Sequence, residues 1–191
     1  GSIKPTPVIG VLGLIDKNPL VSQKIIDNDY LVMIGDTKDE LGGSEYFEYI
    51  HNFIGGKCPI VHFDESKKNM EIVLNIIENQ LVKSVHDCSK GGLAVAVSEI
   101  CMTNQIGCDV SLEKVLGEKL TVDKILFSES HSRYLLVLDE KNIKKLESIA
   151  EKNNVSYSIL GHFKDKKIRF TTNVQPIIDL SVDMAQKTWL N

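Results

Sequence analysis

Two hydrophobic rhythms alternate along this chain. The first is a set of short, nearly unbroken apolar runs rich in β-branched residues, which predict strands over 8–15, 30–34, 83–87, 108–112, the second half of 125–138, 157–163 and 168–171. The second recurs at helical spacing. Ser44 is a fitting N-cap for a helix over 45–54 that places Phe47, Ile50 and Ile54 on one face and is closed by Gly55 and Gly56. A longer helix from Ser66 to about Gln80 carries a core stripe of Met70, Val73, Leu74, Ile77 and Leu81. After Gly91 and Gly92, the residues Leu93, Ala96, Val97 and Ile100 share one side of a helix ending near Asn104. Asp139 is placed to cap a helix buried through Ile143, Leu146, Ile149 and Ala150, and a last helix over 182–189 docks through Val182, Ala185 and Trp189.

The connections are equally patterned. Prolines keep 4–7 extended, 16–19 is a turn, 113–123 is a polar connector and 164–167 is a hairpin turn. Gly10 and Gly13 thin the first strand and suggest a bulge or a close backbone approach there. The predicted fold class is therefore mixed α/β (α+β), a mixed β-sheet flanked by helices, in one domain over 3–191. Gly1 and Ser2 read as a cleavage scar of expression.

Composition narrows the function classes. With 191 residues, 42% hydrophobic and 25% charged, the chain is long enough for one well-buried core. Net charge is −4, and lysines alternate with acids along 141–147, which describes a solvated helix face rather than a nucleic-acid footprint. No apolar run reaches the roughly 20 residues of a membrane span. The four cysteines, Cys58, Cys88, Cys101 and Cys108, form no C-x-x-C pair, and the five histidines are isolated, so cytosolic free thiols and no structural metal are expected. Cys88 lies beside a glycine turn at a helix start, a setting that lowers a thiol pKa, but His86 is the one base near it.

No phosphate-binding P-loop, dinucleotide fingerprint or nucleophile elbow occurs. Three polar turns remain as candidate chemistry. Gly42, Gly43, Ser44 and Glu45 form either a tight loop or a backbone nest for a phosphate or carboxylate. Asp87 to Gly92 is a strand–turn–helix junction whose amides can approach an anion. Ser128 to Arg133 is either a hydrogen-bonded turn with an ion pair or the mouth of a ligand site.

The runs 5–15, Gly42-Gly43-Ser44-Glu45, His86-Asp87-Cys88-Ser89-Lys90-Gly91-Gly92 and Leu126-Phe127-Ser128-Glu129-Ser130 follow one another in the order and spacing of one family. The chain resembles the C-terminal part of the phosphoribosylformylglycinamidine synthases of purine biosynthesis. More widely it resembles the C-terminal domain shared with aminoimidazole ribonucleotide synthetase, and the resemblance spans nearly the whole chain. It departs from the common pattern at Cys88, Lys90 and His131.

The resemblance implies an ATP-dependent carbon–nitrogen ligase that uses Mg²⁺ and an ammonia donor to turn formylglycinamide ribonucleotide into formylglycinamidine ribonucleotide in the cytoplasm. It implies that this chain is the last domain of such an enzyme, with ATP and Mg²⁺ held mainly by upstream synthetase domains and with a glutaminase subunit or domain as partner. The isolated domain is expected to bind no cofactor and to contribute no catalytic or metal-ligating residue. Its ligand-binding candidates are Gly42, Gly43, Ser44, Asp87, Ser89, Gly91, Gly92, Ser128, Glu129 and Ser130. The alternative is a scaffold or phosphate-binding module without activity of its own, or the same domain of another member of the superfamily.

Overall fold

A computed structural model describes residues 9–14, 21–115, 120–173 and 175–190. In chain order the elements are β1 (Tyr30–Ile34), α1 (Glu45–His51), α2 (Phe63–Glu78), β2 (Ser84–Asp87), α3 (Gly92–Asn104), β3 (Cys108–Ser111) and α4 (Val122–Phe127). They continue with β4 (Tyr134–Leu138), α5 (Glu140–Lys152), β5 (Tyr157–Phe163), β6 (Lys167–Thr172), β7 (Gln175–Ser181) and α6 (Val182–Trp189). The strands form one sheet in the order β2-β4-β1-β5-β3-β6-β7, antiparallel throughout except for the parallel pair β3 and β6. The predicted mixed sheet flanked by helices is the fold observed. Among the described residues no helix is long and apolar enough to cross a membrane.

The two central strands explain why their sequences read as unbroken apolar runs. Successive strand side chains point to opposite faces. Leu31 and Met33 of β1, with Leu135 and Val137 of β4, enter a core shared with Leu93, Val97 and Ile100 of α3, Ile125 of α4 and Val182 of α6. Val32 and Ile34, with Leu136 and Leu138, enter a second core built on Ile72, Val73 and Ile76 of α2 and Leu146 of α5. Both faces are covered, so neither leaves a polar alternation in the sequence.

Several expectations need correction. Ile9 to Leu14 form no strand, and Ile9, Val11, Leu12 and Leu14 are 82–102% exposed; Val8, Ile15 and the predicted segments 4–7 and 16–19 lie outside the described residues. Helix α1 stops at His51, where Asn52 turns left-handed and returns its N–H to the Phe47 carbonyl, so Gly55 and Gly56 are not the cap and Ile50 and Ile54 stay exposed. In α2 the buried face is Asn69, Ile72, Val73 and Ile76, while Met70 and Leu74 are half exposed. Asp139 occupies the N-cap position of α5 but makes no side-chain cap bond; its carboxylate binds Lys83 at 2.8 Å, and Lys83 also binds buried Asp29 at 2.6 Å. The short helix α4 and strand β7 went unpredicted. Pro176 hides β7, and it is tolerated because β7 is an edge strand and Pro176 sits at a register irregularity against Thr171.

An ion-pair network clips the far edge of the sheet. Asp109 of β3 accepts from Lys164 and from Arg169, which also reaches Asp165. Burial alone would raise the Asp109 pKa, but the hydrogen bonds from Lys164 and Arg169 outweigh it and hold the carboxyl below its ordinary value. A depressed folded pKa stabilises the protein above the unfolded carboxylate pKa of about 3.9, and that contribution disappears as pH falls through the folded value. Urea titrations of the wild-type chain and of Asp109→Asn from pH 6 downward check this. The wild type is expected to lose more stability below about pH 4 than the variant does; parallel curves would assign the acid limb to other groups.

Candidate functional site

The sheet itself brings the three polar turns together. β4 pairs antiparallel with β2 on one side and β1 on the other, so Tyr134 at its start faces both Asp87 at the end of β2 and Ile34 at the end of β1. The turn entering β4 (128–133), the turn leaving β2 (87–92) and the loop leaving β1 (35–44) must therefore meet at one end of the sheet.

Their contacts form a clasp. Ser130 Oγ accepts from Lys38 N–H at 3.0 Å and Ser128 Oγ from Glu40 N–H at 3.2 Å, while Glu129 N–H donates to the Glu40 carbonyl at 3.1 Å. Glu129 Oε1 accepts two backbone N–H bonds, from Glu45 at 2.9 Å and from Gly91 at 2.9 Å. One residue thus touches all three motifs. Beneath them lies Arg133, only 1% exposed and outside every ion pair among the described residues. Its guanidinium donates to the carbonyls of Ser130 (3.1 Å) and Ser128 (2.5 Å) and to Thr37 Oγ1 (3.0 Å). Burial pushes its pKa down, opposed by the nearby carboxylates of Glu40 and Glu129.

The glycines are required for two different reasons. Gly92 has φ +65°, and a Cβ there would stand 2.5 Å from the Ser128 carbonyl oxygen. Gly42 lets the Lys57 backbone pass so closely that a Cβ would lie 2.1 Å from the Lys57 carbonyl oxygen. Ser44 caps α1, accepting from Phe47 N–H at 3.3 Å and donating to the Leu41 carbonyl at 2.6 Å. Gly43 and Gly55 close the same loop through a 2.8 Å backbone bond.

Above the clasp opens a cleft of about 370 Å³ lined by Asp87, Ser89, Lys90, Glu129, His131 and Arg133, among others. Of the ten candidates, only Asp87, Ser89 and Glu129 line it. Ser44, Gly91, Gly92, Ser128 and Ser130 are buried within the clasp, and Gly42 and Gly43 belong to its outer loop. A larger hollow of about 580 Å³ lies at the other side of the β1 end, beside Asp36, Lys68, Asn69 and Ser156, and contains none of the candidates. Asp87 and Ser89 are exposed and free to meet a ligand, whereas the hydroxyls of Ser128, Ser130 and Ser44 are engaged by the fold. Lys90 reaches across to Glu45 at 2.8 Å.

The setting of Cys88 does not activate its thiol. Burial pushes its thiol up to about 11, with Arg133 opposing only in part, so it is protonated at neutral pH. Its supposed base is committed elsewhere, since His86 Nε2 lies 2.9 Å from Glu99 of α3. Arg133 and Glu40 are the residues that the candidate set lacks. A lone arginine directly ahead of the five-residue apolar run 134–138 was the signal for the first; no local signal marks Glu40, whose Oε1 accepts from Ile60 N–H at 2.9 Å.

Comparison with known proteins gives the same frame. Phosphoribosylformylglycinamidine synthase subunit PurL of Methanococcus aeolicus is 34% identical over 189 residues, 99% of this chain and 25% of that protein. The corresponding subunit of Methanocaldococcus jannaschii is 36% identical over 191 residues, 98% of this chain and 26% of its own length. The chain thus spans about a quarter of the length of the curated relatives it matches. Among solved structures, T. maritima PurL complexed with FGAR superposes with a TM-score of 0.78 at 18% identity, covering 87% of this chain and 29% of that one. T. maritima PurL complexed with ATP gives 0.68 at 19% identity, with 87% and 27% covered, and PurLQS from Thermotoga maritima gives 0.67 at 18%, with 86% and 27% covered. These likenesses show the fold. The model of the family described as AIR synthase related protein, C-terminal domain, matches residues 27–172, from just before β1 to the end of β6, and the chain belongs to that family.

Proposed function

We propose that this domain serves as the C-terminal part of an ATP-dependent ligase that converts formylglycinamide ribonucleotide to formylglycinamidine ribonucleotide, with upstream synthetase domains and a glutaminase as its partners in the cytoplasm. The support is the relationship to PurL subunits over almost the whole chain, together with solved PurL structures holding FGAR and ATP and a PurLQS assembly. Within it, the exposed rim from Asp87 to Lys90 is the part that meets a phosphorylated ligand, an auxiliary nucleotide held between this domain and the rest of the enzyme. The observation that carries this is the division of labour in the cleft: Asp87 and Ser89 are exposed at its mouth while the other polar candidates are engaged beneath it.

Mg²⁺ fits the rim only in a limited way. Among the described residues no three His, Cys, Asp or Glu side chains converge to hold a metal. Mg²⁺ commonly takes one or two carboxylates and completes its shell with water and substrate phosphates. Asp87 can supply one such carboxylate to a metal arriving with a nucleotide, and Ser89 can donate its hydroxyl to a phosphate oxygen. Neutralising phosphate charge is the chemistry the ion supplies there. The amides that hold the cleft's shape stay with the clasp.

A scaffold reading competes, because Ser44, Ser128, Glu129 and Ser130 all hold the fold together. One experiment separates the two. In the intact longer enzyme, Asp87→Ala and Ser89→Ala are expected to weaken nucleotide binding at least tenfold while leaving the melting temperature within about 2 °C of wild type, as surface substitutions do. Altered stability with unchanged binding and kinetics would favour the scaffold. Alongside, the 191-residue chain is expected to show no turnover of formylglycinamide ribonucleotide, and measurable turnover would overturn the assignment of catalysis to the rest of the enzyme.

A further inference from the structure

Two backbone amides behind this cleft hold an anion that belongs to the chain, the carboxylate of the cleft-lining Glu129. Glu129 Oε1 lies 2.9 Å from Glu45 N and 2.9 Å from Gly91 N, groups 84 and 38 residues away in sequence. The position is well defined. Gly91 is buried, with its backbone left-handed at φ +75°, at the N-cap position just ahead of the 13-residue helix α3. Glu129 itself is fixed from both sides, because Ser128 and Ser130 are clamped through their hydroxyls and through their carbonyls by Arg133. Two N–H groups converging on one carboxylate oxygen are charge-assisted bonds, the arrangement by which backbone amides bind phosphate and carboxylate ligands.

We infer that Glu129 is a built-in anion, occupying the amide site of this cleft and closing it to external phosphate. The site is self-liganded, and its ligand class is a small carboxylate or phosphate. A phosphorylated molecule entering the cleft then meets the Asp87–Lys90 rim and the exposed His131, and not these two amides. This holds whether or not the rim meets a nucleotide, so it stands independently of the function proposed above.

Chemical rescue tests it. Glu129→Ala removes the carboxylate and leaves the amides; its melting temperature is expected to fall by about 5 °C or more. Sodium formate at roughly 100 mM should restore at least half of that loss by binding the vacated position. Sodium chloride at the same ionic strength should not, and the wild-type chain should respond to neither. Glu129→Gln keeps a neutral acceptor oxygen and should melt between the two without responding to formate. A folded Glu129→Ala chain that formate and chloride stabilise equally would overturn the inference. Should that variant not fold, the wild type decides: its Gly91 and Glu45 amide resonances should stay in place as inorganic phosphate is added, and their displacement by phosphate would show the site open. Nucleotide-dependent shifts at Asp87 and Ser89 are a separate readout in the same spectra, so failure of the rim assignment is distinguishable from failure of this one.

Discussion

Arg133→Met is expected to lower the unfolding free energy by about 2–4 kcal/mol, read from urea denaturation at neutral pH. The substitution relieves the desolvation of a buried guanidinium, which opposes the loss. It also removes the donors serving two main-chain carbonyls and one hydroxyl in the interior: Ser128 O, Ser130 O and Thr37 Oγ1. Buried acceptors left without a donor cost about 1–3 kcal/mol each, and there are three. Lysine should recover little of the loss, because three acceptors around one planar fork cannot be matched by a single ammonium. If Arg133→Met is as stable as wild type, the three segments are held by packing and not by the guanidinium.

Gly92→Ala should cost about 2–5 kcal/mol, the sum of a left-handed backbone and a steric clash. Gly43 supplies the control. Its φ of +72° is close to the +65° of Gly92, but a Cβ at Gly43 would find only Cys58 Sγ at 4.0 Å, whereas one at Gly92 would meet Ser128 O at 2.5 Å and Leu126 O at 2.9 Å. Both variants bear the conformational cost of about 1–2 kcal/mol. Only Gly92→Ala must also push α3 away from the end of α4. Equal losses in the two variants would show that the close packing of the 91–92 turn against 126–128 contributes nothing.

The clasp also shows where reading from the chain alone succeeds and where it fails. The span of α3 and its apolar side were legible because small residues and a preceding glycine pair are local signals, and Leu93, Ala96, Val97 and Ile100 are all buried as expected. In α2 the period was right and the phase was partly right. Of the predicted stripe, Val73 and Leu81 are buried and Ile77 packs against the core, whereas Met70 and Leu74 are half exposed; the facing strands β1 and β4 turn the buried face toward Ile72 and Ile76 instead. Asn69 sits on the chosen face because its Nδ2 finds the Ser132 carbonyl at 3.0 Å, a partner no periodicity could suggest. The helix α1 failed in another way. Its apolar positions are real, but among the described residues no sheet lies beneath them, and Tyr49 and Ile50 remain 65–80% exposed.

The same division holds for the candidate site. Unbroken β-branched runs, glycine pairs and a serine N-cap are properties of neighbouring residues, and they were enough to identify the strands of the buried centre and to pick out the three polar turns that meet at one end of the sheet. What each polar group does depends on partners far along the chain. Ser130 answers to Lys38 across 92 residues, Ser128 to Glu40 across 88, and Glu129 to Glu45 across 84 and to Gly91 across 38. Antiparallel pairing of β4 with both β1 and β2 creates those encounters, and it turned most of the predicted ligand groups into the fold's own hydrogen bonds. Asp87 and Ser89 remain facing solvent because β2 is the edge of the sheet and its turn meets no further strand among the described residues.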